Sequence, residues 1–247
     1  MQVTREALTA VTLAAQTILE CSGEIYRAED TALRLCHAFG FEEADILCFP
    51  TGFTLTAVLP GGETVSRTQR VRDRSIQLSR LDEVNRISRA VAQGQMDAPQ
   101  ALAALQALRT AQPPGRARMI LAYAASAAFF AVMFGGGIKE FALALCCGAL
   151  MQAVLPLLQR WQAPAPLSAM AGGMLAAGSA LLMLQLFGGN QEALISGAIM
   201  PLLPGLALTN AVRDTMRGDL IAGMARSTEA LMSATMLAAG VAVVLML

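Results

Sequence analysis

A cytoplasmic α+β domain followed by an all-α membrane domain of five transmembrane helices is the architecture the sequence predicts, on three observations. Charge is split unevenly along the 247 residues: residues 1–118 carry 13 Arg and 13 Asp or Glu, while residues 119–247 carry ten charges in all. The second part contains uncharged runs at 119–138, 141–159, 161–191, 193–212 and 230–247, and a helix needs about 20 mostly apolar residues to cross the hydrocarbon. The first part changes its hydrophobic period from helical to two and back again, the mark of helices packed with a small sheet.

Within the domain at 1–115, Leu8, Val11, Ala15, Ile18 and Leu19 recur at helical spacing and Ser22-Gly23 supplies a stop. A second helix runs from Tyr26 to Phe39 and closes at Gly40. Strands are expected over Ala44–Phe49, Phe53–Leu59 and Glu63–Val71, because the alternation is two-fold and Pro50-Thr51-Gly52 and Pro60-Gly61-Gly62 have turn chemistry. Helix resumes over Ser75–Gln93, with Ile76, Leu78, Leu81, Val84, Ile87 and Val91 on its apolar face. Asp97 caps a further helix that carries Pro99 in its first turn and ends near Arg109; Gln112-Pro113-Pro114-Gly115 then links to the membrane domain at 116–247. The apolar stretch Ala7–Ala15 is flanked by Glu6 and Glu20, which reads as a retained amphipathic helix rather than a signal peptide.

The whole-chain balance of 18 basic and 18 acidic residues removes the positive field that a nucleic-acid binder carries, so no nucleic-acid partner is expected. His37, Cys21, Cys36 and Cys48 lack the close ligand pairs of a zinc site; no metal and no cofactor are expected, and the five scattered or adjacent cysteines fit a reducing compartment.

Five spans are placed at about 119–138, 141–159, 166–187, 193–210 and 226–246. With the N-terminus inside, the inner loops carry Arg116, Arg118, Arg160, Arg213, Arg217 and Arg226 against Lys139 outside, which orients the chain in a cell inner membrane with its C-terminus outside. Ser168, Gly172, Ala176 and Ala180 form a small-residue seam along the third span. The fourth span holds Met200-Pro201-Leu202-Leu203-Pro204-Gly205, where each proline removes an N–H and clashes with the carbonyl four residues back. The helix should break there and release the carbonyls of Gly197 and Met200, an arrangement transporters use to hold solutes. Pro201, Pro204, Gly205, Thr209, Asn210, Arg213 and Asp214 are therefore the candidate substrate-binding residues. Asn210, Asp214 and Arg217 share one helix face at i, i+4 and i+7 and are expected to line a mouth, where Asp214 can take protons or an ammonium and an arginine can grip a carboxylate. No ionisable residue sits mid-span, so proton coupling would fall to groups near span ends: Asp214, Asp219 and Glu229, with Glu192 beside them.

Four stretches then resemble the bacterial threonine/serine exporter family in its split two-component form: Ser22-Gly23-Glu24-Ile25-Tyr26-Arg27-Ala28-Glu29-Asp30; Pro50-Thr51-Gly52; Val84-Asn85-Arg86-Ile87-Ser88-Arg89; and Leu203-Pro204-Gly205-Leu206-Ala207-Leu208-Thr209-Asn210-Ala211-Val212-Arg213-Asp214 with Gly218-Asp219 and Gly223. The resemblance covers nearly the whole chain, and within the first stretch Gly23, Tyr26, Arg27, Glu29 and Asp30 carry it. It implies a secondary transporter that exports small amino acids or related small carboxylic acids and is not an enzyme. It also implies a separate small membrane protein that supplies the second half; homo-oligomerisation is a further arrangement open to the chain. The alternative is a membrane-anchored enzyme or a small-molecule sensor that uses the N-terminal domain.

Overall fold

The computed structural model describes residues 2–111, 114–159 and 164–247. Gln112 and Pro113 of the expected linker, and Arg160 of the inner-loop arginines, lie outside the described residues. Two compact units emerge: one of residues 1–112 with 206–227, the other of 113–205 with 228–247. A single cut at 115/116 thus does not describe this fold, because residues 206–227 pack with the N-terminal segments.

In the first unit α1 (Gln2–Glu20) and α2 (Ile25–Ala38) precede an antiparallel meander of β1 (Glu43–Phe49), β2 (Gly52–Val58) and β3 (Thr64–Arg70), in the order β1-β2-β3. Helices α3 (Leu78–Ala92) and α4 (Ala98–Thr110) follow. The sheet turns Ile46, Cys48, Phe53, Leu55 and Ala57 into a core shared with Val11, Ile18, Leu35, Val84, Ile87 and Leu105. The Asp97 cap is a full capping box, with Asp97 accepting from the Gln100 N–H at 2.9 Å and Gln100 reaching back to the Asp97 N–H.

The stop at Ser22-Gly23 works differently from the expectation. Ser22 is the left-handed residue, at φ 58°, and the Gly23 N–H closes back on the Ile18 carbonyl at 2.9 Å. Gly23 is needed for space: a Cβ there would fall within 3 Å of Ile18 and Leu81.

The second unit holds α5 (Arg116–Met133), α6 (Ile138–Gln159), α7 (Ala165–Phe187) and α8 (Gln191–Ile199). Ala124, Ala127, Ala128 and Ala131 bury one stripe of α5, and Gly148 of α6 and Gly197 of α8 bring their backbones against it. On α7 three of the four residues of the expected seam, Gly172, Ala176 and Ala180, are buried, and Ser168 is half-buried. Glu140, in the first turn of α6, accepts the Gly137 N–H at 2.7 Å and the Asn190 N–H at 2.9 Å, tying the α7–α8 connection to α6.

After α8 the apolar helix is interrupted as the prolines require. A 3₁₀ turn occupies Met200–Leu202, Leu203 is extended at φ −64°, ψ 137°, and helix restarts as α9 (Gly205–Met216). One detail differs from expectation: the Met200 carbonyl is not left open but accepts the Leu203 N–H at 3.2 Å, because the tightened turn recaptures it. The last helix, α10 (Leu220–Leu245), follows Gly218. Four helices, at 116–133, 138–157, 165–187 and 220–245, are long and apolar enough to cross a membrane; a fifth crossing exists if the interrupted pair 191–202 and 205–216 counts as one.

Candidate functional site

The candidate site is assembled by two short turns of the first unit that lie almost 190 residues apart in sequence. The first is the α1–α2 connection, Cys21 to Glu24. Its left-handed Ser22 turns the carbonyls of Ser22 and Gly23 outward, and α2 begins at Ile25 with no side-chain cap from Glu24, so its first N–H groups need an outside acceptor. The second is the α9–α10 hairpin. Gly218, at φ 95°, ends α9, with the Gly218 N–H on the Thr215 carbonyl at 3.1 Å and the Asp219 N–H on the Asp214 carbonyl at 3.0 Å. Across this hairpin Gly223 sits where a Cβ would meet Thr215 and the Ala211 carbonyl, so α9 and the start of α10 lie close together.

The polar face of that hairpin closes on the first turn. Asn210 donates through Nδ2 to the Ser22 carbonyl at 2.9 Å. Asp214, fully buried, accepts the Ile25 N–H on Oδ1 at 3.2 Å and so supplies the anion that the start of α2 lacks. Its Oδ2 lies 3.1 Å from Nε of Arg226, a close ion contact rather than an aligned hydrogen bond, and Arg226 is itself buried. Arg226 also donates to the Ser22 carbonyl at 3.2 Å and the Gly23 carbonyl at 2.5 Å. Around this centre Glu24 takes Arg213 at 2.8 Å on one oxygen and Arg27 at 3.1 Å on the other, and the Arg217 guanidinium stands 4.6 Å over the Tyr26 ring. Asn210 Oδ1 is buried and meets no hydrogen-bond donor among the described residues.

Burial raises the affinity of Glu24 for its proton, yet the bonds from its own backbone N–H, Arg213 and Arg27 outweigh it and hold the carboxyl below its usual range. Glu29 goes the other way. Burial is the largest cause, the Cys48 N–H at 2.9 Å opposes it, and Asp219, Asp30 and Asp45 add to it, so its pKa is raised. A group whose folded pKa lies above its unfolded one contributes stability below the unfolded value and loses it as pH rises through the folded value. Glu29→Gln, which keeps an acceptor for the Cys48 N–H, should therefore be more stable than the wild type at pH 7.5. That advantage should vanish below about pH 4 in denaturant melts at the two pH values.

The structure brings Asn210, Arg213 and Asp214 together with the Gly23 backbone, Tyr26 and Arg27, which belong to two stretches far apart in the sequence. It does not leave Asn210, Asp214 and Arg217 lining an open mouth: the first two are buried against residues 22–25 and the third covers Tyr26, because their polar groups are satisfied there. Pro201 lies in the 3₁₀ turn, Pro204 and Gly205 at the restart of helix, Thr209 on an exposed position of α9, Asp30 and Glu229 on exposed positions, and Asp219 half-buried after Gly218. Arg226 is the residue that sequence reasoning misses, since an arginine at the inner end of a span reads as a topology anchor. The signal was Asp214 itself: a carboxylate on the same face as Ala211 must find a cation once that face is buried. All five thiols are free, and burial pushes that of Cys36 up to about 12.

Comparison with known proteins adds one match. The family model of the ThrE threonine/serine exporters covers residues 9–247. No curated protein and no solved structure matches.

Proposed function

The chain belongs to the threonine/serine exporter family, and from that premise we propose that it is the larger subunit of a two-part secondary exporter, with the solute handled along the segment Pro201–Asp214. Membership makes it a multi-pass membrane protein of a transporter family, with a small-molecule substrate and a lipid environment. The finer reading is ours. The solutes are small amino acids of the threonine/serine type or related small carboxylic acids. The membrane is the cell inner membrane. The N-terminal α+β domain lies in the cytoplasm, the interrupted pair makes the fifth crossing, and the C-terminus is outside. A separate small membrane protein completes the transporter, and homo-oligomers of this chain are compatible with that assembly.

The observation that carries this reading is the interruption between Ile199 and Gly205. Met200–Leu202 is a 3₁₀ turn and Leu203 is extended, inside a stretch otherwise apolar enough to cross a bilayer. Non-helical backbone at membrane depth survives only against protein or a wet cavity, and the energetic reason to keep it is a backbone that can bind a solute or move. Thr209 and the Oδ1 of Asn210 continue from it as partners for an amino acid, Arg213 joins them when it leaves Glu24, and Asp214, Asp219 and Glu229 are the carboxylates to which this reading gives proton coupling. Asp214 takes part in this scheme while paired with Arg226, so it can exchange protons only when that pair parts.

The test uses cells fed dipeptides that release threonine or serine inside. Wild-type chain, expressed with its small membrane partner, should keep intracellular amino acid low, and the chain alone should not. The double variant Pro201→Ala/Pro204→Ala restores a continuous helix, and it should insert and melt like the wild type yet raise accumulation to the level of cells lacking the exporter. Normal export by that variant would remove the segment from the solute path.

A further inference from the structure

We infer that the cleft between α1, α4 and β3 in the first unit is a binding site for a small polar carboxylate, distinct from the Pro201–Asp214 segment. The cleft has a volume of about 670 Å³, in the range that holds a small metabolite. Its lining breaks the pattern by which the rest of the unit is built. In the antiparallel register Gln69 stands opposite Phe53 and Arg67 opposite Leu55, and directly opposed residues share a face. Phe53 and Leu55 are core residues. Gln69 and Arg67 therefore stand on the same face of β3 as the core residues of β2, but beyond the cover of the helices, Gln69 half-buried and Arg67 exposed, so this edge of that face opens into the cleft.

The facing helices are equally polar. Thr9, Thr12 and Gln16 follow one another along α1, with Thr12 buried, and Gln106 and Arg109 face them from α4. Leu13 is the one apolar side chain in the lining, so an apolar ligand gains little by entering.

Charge narrows the class further. Arg109 is committed to Glu20 at 3.2 Å, and Gln16 donates to the same Glu20 oxygen at 2.6 Å, which leaves that rim neutral. Arg67 and Gln106 are exposed at the opening of the cleft and Gln69 is half-buried between them, so a guanidinium and two side-chain amides face the space. The guanidinium at the opening can hold one carboxylate by two parallel N–H donors. The Thr9 and Thr12 hydroxyls donate to the Arg5 and Leu8 carbonyls at 2.8 and 2.7 Å, so their oxygens keep lone pairs for an ammonium or hydroxyl of the same ligand. A hydroxy or amino acid satisfies both ends.

The inward arginine of an edge strand can also serve only to discourage pairing with another sheet, and that role predicts no ligand. The decisive measurement is calorimetric titration of the purified full chain in detergent with L-threonine, L-serine and succinate, and with threoninol, which lacks the carboxylate. The carboxylates should bind and threoninol should not. Arg67→Gln should weaken carboxylate binding by about tenfold or more, the loss expected for a hydrogen-bonded charge contact. Gln106→Leu should weaken it less, and Pro201→Ala/Pro204→Ala should keep the carboxylate binding that Arg67→Gln weakens, losing at most a second component of heat that belongs to the transport segment. Thermal melts of both cleft variants should match the wild type, since neither Arg67 nor the Gln106 amide holds the fold. Absence of carboxylate heat with the wild type, or equal binding by Arg67→Gln, overturns the site; binding abolished only by the proline variant assigns it to the transport segment instead.

Discussion

Asp214→Asn should lower the stability of the chain by about 3–5 kcal/mol, the cost of leaving one member of a buried ion pair without its counter-charge. The substitution is almost isosteric, and its amide oxygen can still accept the Ile25 N–H, so what it removes is the charge facing Arg226. Arg226 cannot shed its proton, and its remaining bonds to the Ser22 and Gly23 carbonyls were formed with Asp214 beside it. Arg226→Met should be similarly costly, because it strips those two carbonyls of their donor while leaving Asp214 buried. The double variant Asp214→Asn/Arg226→Met should lose less than the sum of the two, by at least about 1 kcal/mol, since each single change already forfeits the pairing. It should not return to wild-type stability, because the Ser22 and Gly23 carbonyls stay unsatisfied in it. Denaturant melts of the four proteins in detergent measure the cycle. Strict additivity would mean that the two side chains stand near each other without holding the turns together. Loss of export by Asp214→Asn alone therefore speaks to folding before it speaks to transport, which is why the transport test uses the prolines.

Much of this architecture is readable residue by residue because its causes are local. Two-fold alternation gives the three strands, Asp97 with Gln100 gives the start of α4, and the two prolines fix where the fourth apolar stretch must break. Where a run of uncharged residues stood in for helix length, the reading overran: the expected first span reached residue 138, while α5 ends at Met133 because Phe134 and the glycines after it close the helix. The grouping of residues 206–227 with the N-terminal segments was not legible. Composition marks α9 and the start of α10 as membrane helix, and the contacts that place them join partners almost 190 residues apart, which no periodicity records. Arg226 was hidden by a correct statistical rule, since an arginine near a span end needs no partner to explain it. The cleft was hidden likewise, because alternation alone does not tell that residues 67 and 69 share a face with Leu55 and Phe53; only the pairing register does.

In the second unit the largest effect should come from two glycines that face each other across a helix crossing. A Cβ at Gly173 of α7 would collide with the Leu237 carbonyl of α10, and a Cβ at Gly240 of α10 would collide with the Met170 carbonyl of α7. The contact is thus backbone on backbone in both directions. Between apolar helices in lipid there is no gain from hiding apolar surface, so close approach and the dispersion it allows are what hold such a pair together. Backbone atoms cannot rotate away as a side-chain end can, and the two helices must separate along their length to admit a larger residue. Gly173→Leu and Gly240→Leu should each cost about 3 kcal/mol, at the upper end of ordinary overpacking. Gly178 supplies the control on the same helix, because a Cβ there meets nothing within 4 Å. Gly178→Ala should leave stability unchanged or raise it by up to about 1 kcal/mol through helix propensity alone. Melting the three variants in detergent separates a packing effect from a general dislike of glycine replacement in α7: if Gly173→Leu melts with Gly178→Ala, the crossing does not hold the two helices together.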